Sequence, residues 1–120
     1  MQFMALIYSD PTREPQYGTA AFGTMMQDYF ALNAAMKAAG HLVSGEGLKG
    51  IETATSLRIK GGKVETMDGP FAETKEHLGG YYVVDVPDLD TALKYAAMIP
   101  AAKYGTVEVR PLMDYNPAGE

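Results

Sequence analysis

Two short runs, "FMALIY" at residues 3–8 and "GYYVVDV" at residues 80–86, are apolar on both of their alternating sides. In an extended chain successive side chains point to opposite faces. Phe3, Ala5 and Ile7 therefore oppose Met4, Leu6 and Tyr8, and Tyr81 and Val83 oppose Tyr82, Val84 and Val86. Strands of this kind must be covered on both sides, and whatever the chain folds into has to supply that cover.

The rest of the sequence offers two helical patterns. Phe22, Met25, Tyr29, Leu32 and Met36 recur at three- and four-residue spacing, with Met26 and Phe30 widening the stripe, and this Met-rich face reads as core. Gly40 stands where a left-handed C-terminal cap is wanted. Leu89, Ala92, Leu93, Ala96 and Ile99 form a second stripe, capped by Asp88 and stopped by Pro100. Two helices cover one face of a sheet. The other apolar face is larger than the patches monomers expose, so a homodimer with two sheets packed face to face is expected. A ligand cavity would then lie between sheet and partner or between sheet and loop.

Between these elements "HLVSGEGL" reads as a short strand broken by glycines, and "TATSLRIK" and "KVETM" flank Gly61-Gly62. A two-residue glycine pair between alternating runs predicts a tight hairpin, because both turn positions accept positive φ. "TVEVRPL" alternates, with Val107 and Val109 on one side and Thr106, Glu108 and Arg110 on the other; "DYNPAGE" closes a loose tail over residues 112–120. Strand, helix, strand with hairpin, strand, helix, strand makes an α+β fold of the ferredoxin-like plait type. At 120 residues one domain spanning 1–120 suffices.

Composition narrows the function classes. A net charge of -5, with ten Lys and Arg scattered along the chain, repels a phosphate backbone, so no nucleic-acid partner is expected. The absence of cysteine removes disulfides, a thiolate nucleophile and Cys-based metal sites, and two lone histidines do not make a metal centre. No metal and no cofactor are expected. The apolar N-terminal run stops at Tyr8, and no stretch approaches the roughly 18 apolar residues of a membrane helix, which points to a cytoplasmic protein without a membrane partner.

The segment with the most chemistry is "DGPFAETKEHLGG", from Asp68 to Gly80. Asp68-Gly69-Pro70 has turn chemistry: an Asp that bonds nearby amides, a Gly that permits positive φ, a Pro that fixes the exit. Phe71 can line a ligand pocket or plug the space beneath the loop. Glu73, Lys75 and Glu76 are a solvated ion-pair loop, or a carboxylate that moves a proton beside an ammonium that holds an anion. If the segment turns helically, Glu73, Glu76 and His77 come together. Arg110 either pairs with Glu108 or grips a substrate carboxylate. His41 follows a helix end, where the macrodipole accounts for it. His77, inside the motif, is the better acid-base candidate.

The run "ETMDGPFAETKEHLGGYYVV", preceded by "GEGL" and "TATSLRI" and followed by "VEVRPL", resembles the DGPF-motif branch of the YCII-related family over nearly the whole chain, from Phe3 to Leu112. The resemblance implies a ferredoxin-like dimeric α+β barrel and a relation to small-molecule enzymes such as muconolactone isomerases. It also implies a regulatory setting, because genes of this branch tend to accompany those for extracytoplasmic-function sigma factors. Related proteins are thought to use a His and Asp pair with the His early in the first helix region; here residues 12–40 hold no histidine. Two functional readings follow. In one, Glu73, His77 and Asp68 carry acid-base chemistry of the isomerase or lyase type on a small anionic or carbonyl compound held by Phe71, Lys75 and Arg110. In the other, the chain is a non-catalytic accessory or regulatory binding protein in a sigma-factor pathway.

Overall fold

The structure is a computed structural model and describes residues 1–115; the last five residues of the tail read as loose lie outside the described residues. Six strands and two helices follow one another as β1 (Gln2–Ser9), α1 (Ala20–Ala38), β2 (Leu42–Gly47), β3 (Thr55–Lys60), β4 (Lys63–Asp68), β5 (His77–Asp85), α2 (Leu89–Ala97) and β6 (Gly105–Pro111). Short 3-10 turns occupy Ile51–Thr53 and Pro100–Lys103. Four strands form an antiparallel sheet in the order β2-β5-β1-β6, the ferredoxin-like arrangement expected from the sequence. The two doubly apolar runs are its central pair, β1 and β5.

Local chemistry sets the element boundaries. Thr19 caps α1 by accepting from the Phe22 amide, and Asp88 caps α2 by accepting from the Thr91 amide at 2.8 Å. At the far end of α1 Gly40 takes φ +74°, its amide bonds to Lys37 O at 3.0 Å and the His41 amide bonds to Met36 O at 3.0 Å. This is the paired-bond C-terminal cap for which glycine is favoured.

Helices α1 and α2 lie on the face of β1 that carries Phe3, Ala5 and Ile7. There Leu32 and Met36 of α1, Ala92 and Ile99, Tyr82 and Val84 of β5 and Val86 just past its end close a continuous core, with Met36 only 1% exposed. Removing a side chain of that size from water contributes about 1.5–3 kcal/mol. The Met-rich stripe is not core throughout, contrary to the sequence expectation. Leu32 and Met36 are buried, whereas Met25 and Met26 line a cavity and Phe30 is 62% exposed.

On the opposite sheet face Met4, Leu6, Tyr8 and Tyr81 are half-buried beside Val83, and Glu108 and Arg110 of β6 pair in register with Leu6 and Met4. The hairpin β3–β4 stands apart as its own two-stranded sheet. Gly61 and Gly62 both have positive φ, 59° and 79°, as the turn requires. Every residue from 57 to 68 is exposed. The projecting arm raises the radius of gyration to 16.7 Å, above the roughly 14 Å of a compact chain of this length.

Candidate functional site

A cavity of about 740 Å³ opens between the first half of α1 and the sheet, on the helix-covered face. Loop residues Pro11, Glu14, Lys49, Gly50 and Glu52 share its lining, as a cavity between sheet and loop requires, and α1 adds a wall that the sequence did not suggest. The reason is written in side-chain size. The wall that α1 faces is built from Gly45 and Gly47 of β2 and Gly79 and Gly80 of β5, and glycines leave the space that side chains would have filled. At Gly80 the strands are too close for anything else, since a Cβ would come within 2.7 Å of Glu46 O.

One local irregularity delivers a histidine to this wall. β1 and β5 pair Ile7 with Gly80, then Tyr8 with Leu78 and Ser9 with His77, so Gly79 is an extra residue on β5. A bulge shifts all the following side chains to the other face. By unbroken alternation His77 would share the outer face with Tyr81 and Val83. With the bulge it shares the inner face with Ile7 and Ser9 and lines the cavity.

The lining mixes polar and apolar groups. Glu14 and Glu52 are its acidic residues and Lys49 its basic one, with Met25, Met26, Phe30 and Leu48 apolar; Glu46 borders the cavity by its backbone, since its side chain shares the outer face with Tyr81. On the α1 side Tyr82 donates from its hydroxyl to Asn33 Oδ1 at 2.5 Å. Tyr29, one helical turn before Asn33, has its phenol pKa pushed up to about 12, first by burial and then by the nearby Tyr82 and Glu14; a backbone hydrogen bond at Ala101 works the other way. Burial likewise raises Tyr82. Both phenols stay protonated at neutral pH, so each keeps a proton to donate, which Tyr82 gives to Asn33.

The residues singled out in the sequence do not meet in one place. His77 lines the cavity. Asp68, Phe71, Glu73 and Lys75 sit on the exposed end of β4 and the irregular segment after it, with Phe71 73% exposed. The corner at Asp68 is held by the Gly69 amide bonding to Ala54 O at 2.7 Å and by Ser56 Oγ donating to Gly69 O at 2.8 Å, with Gly69 at φ +90°. Arg110 is on the opposite sheet face, its Nε 2.6 Å from Glu108 Oε2. Lys75 lies near Asp10. That carboxyl is buried, and its pKa is lowered, first by the Thr12 hydroxyl and amide donating to it at 2.6 and 2.9 Å and then by the charges of Lys75 and Arg13. Among the described residues no three His, Asp or Glu side chains come together as a metal ion would need, and no helix is long and apolar enough to cross a membrane.

From the sequence Tyr29 and Tyr82 read as core and strand positions, and Asn33 and Glu14 drew no notice. One signal was available: Asn33 is a polar residue on the apolar stripe of α1, four positions after Tyr29.

The fold has a solved counterpart. Over 94% of both chains the structure is similar, at a TM-score of 0.51 and 13% identity, to the 5-chloro-2-hydroxyhydroquinone dehydrochlorinase of Burkholderia phenoliruptrix AC1100, solved in complex with 2,5-dihydroxybenzoquinone. At that identity the likeness concerns the fold alone. In sequence the chain is 36% identical, over 119 residues, to an uncharacterized protein of Rhizobium meliloti (strain 1021), covering 98% of this chain and 96% of that one. Residues 1–116 match the model of the YCII-related domain, and the chain therefore belongs to the YCII-related domain family.

Proposed function

We propose that this chain is a cofactor-independent enzyme of the isomerase or lyase type, moving protons on a small cyclic carbonyl compound bound between α1 and the sheet. The observation that carries this reading is the bulge at Gly79, which turns His77 into a cavity large enough for such a molecule. Histidine is the side chain suited to both accepting and returning a proton near neutrality. The lining favours a carbonyl over an anionic ligand: Glu14 and Glu52 accompany a single lysine, Lys49, so a carboxylate ligand would meet like charge. Chemistry of the same type appears in the name of the structural neighbour, a dehydrochlorinase holding a quinone. Glu73 and Lys75 then belong to the outside of the loop that leads into His77.

The test is hydrogen exchange at the carbon beside the carbonyl of cyclohex-2-enone in heavy water, followed by proton NMR. The protein should accelerate exchange, and His77→Gln should lose about a hundredfold of that acceleration. An equal rate with both proteins, or no acceleration by either, refutes the reading.

We further propose that the chain lies in the DGPF branch of its family, works in the cytoplasm and is a homodimer. The apolar outer face of the sheet and the exposed arm support the assembly. Leu57, Ile59 and Val64 share one face of the hairpin by their pairing, at 63%, 71% and 62% exposure, and a two-stranded hairpin is marginal without cover. A monomer by light scattering at micromolar concentration refutes it.

A further inference from the structure

We propose that Asn33 and Tyr29 form a hydrogen-bond donor subsite for the uncharged carbonyl oxygen of the ligand, and that Gly45 and Tyr82 are positioning residues which aim it. The proposal rests on the reading of the cavity as a small-molecule site and assigns the atoms that recognise the molecule there.

A carboxamide has one accepting and one donating end. Tyr82 occupies the accepting end of Asn33, its hydroxyl 2.5 Å from Oδ1. The amide is thereby fixed in one sense, and Nδ2, with two protons, is the end left to serve the cavity that Asn33 lines. Tyr29 lies one turn away on the same helix face and lines the same cavity. Burial holds the Tyr29 phenol in its protonated, donor form.

Tyr82 is itself seated by a missing side chain. Its ring lies so close to Gly45 that a Cβ there would come within 2.6 Å of Cδ1 and 3.0 Å of Cε1. Gly45, Tyr82 and Asn33 thus form a chain of contact from β2 across β5 to α1. It ends on the orientation of one carboxamide. Donors fixed in this way in a low-dielectric wall suit an oxygen on which negative charge develops when a neighbouring carbon loses a proton.

The probes are 4-hydroxybenzaldehyde and 4-hydroxybenzyl alcohol, which share a ring and differ in the carbonyl. By calorimetry the aldehyde should bind about tenfold more tightly than the alcohol, as one good hydrogen bond allows, and its carbonyl infrared stretch should fall on binding. Asn33→Leu and Tyr29→Phe should each erase most of the preference and return the stretch toward its value in the free aldehyde. Gly45→Ala should do the same without removing any donor. His77→Gln should keep both preference and stretch, because it acts on the proton and not on the oxygen. Equal binding of the two probes, or a preference that survives in Asn33→Leu and Tyr29→Phe while those variants melt cooperatively, overturns the subsite and leaves the cavity standing. Binding of neither probe overturns the cavity reading together with it.

Discussion

Replacing Gly45 by alanine isolates the contact on which the aim of the cavity wall depends. The added carbon would sit 2.6 Å from Tyr82 Cδ1 and 3.1 Å from Tyr81 O, against the roughly 3.5–4.0 Å at which carbon atoms rest. The ring has to retreat by about 1 Å. It is 8% exposed and tied at its hydroxyl to Asn33, so it cannot simply swing into water. Overpacking of this kind costs about 1–3 kcal/mol, offset by roughly 0.4–1 kcal/mol because alanine has fewer unfolded states to lose. The net expectation is a loss of about 1–2 kcal/mol. Gly47 is two residues further along the same strand, and a Cβ there meets nothing within 4 Å. Gly47→Ala should therefore keep only the unfolded-state term and gain a few tenths to about 1 kcal/mol. Urea denaturation of the two variants, with unchanged slope, reads the difference directly. If both shift in the same direction by amounts within about 0.5 kcal/mol of each other, the steric account of the Gly45–Tyr82 contact is wrong.

Truncating Met36, the most buried side chain of the core at 1% exposure, to alanine should cost about 2–5 kcal/mol in the same assay. Tyr29 predicts a change in alkali. Its folded-state pKa near 12 lies above the 10.0 of a free phenol, so as pH climbs past 10 the unfolded chain loses that proton first. The stability Tyr29 contributes is full below pH 10 and is lost as pH rises toward 12; a tyrosinate titration of wild type against Tyr29→Phe should lack its latest component in the variant. Ile59→Lys, on the exposed arm, should change monomer stability by less than about 0.5 kcal/mol yet lower the mass seen by light scattering.

The sheet and helices were legible because their signals are periodic: alternation in "FMALIY" and "TVEVRPL", three- and four-residue spacing after Phe22, caps at Gly40 and Asp88, and the Gly61-Gly62 turn. The site was legible only in His77, and for an incomplete reason. Its membership in a striking-looking motif drew notice, but its direction is set by Gly79, a bulge that appears only when β5 is paired with β1. A single strand read alone cannot show an extra residue, since a bulge is defined by its partner. Tyr82 and Asn33 were hidden for a similar reason: they lie 49 positions apart and meet only through tertiary packing. The cavity itself is an effect of glycines on two different strands facing one helix.

That helix wall carries a consequence for descent. β5 has little freedom to change between Tyr81 and Val84, where inward residues serve the core and cavity and outward ones the opposite face. Met25, Met26 and Phe30 stand against the cavity from α1 and take no part in the closed core. Methionine fills irregular gaps and tolerates exchange. The shape of the cavity can therefore change by substitution along one helix face, while the strand that carries His77 stays as it is.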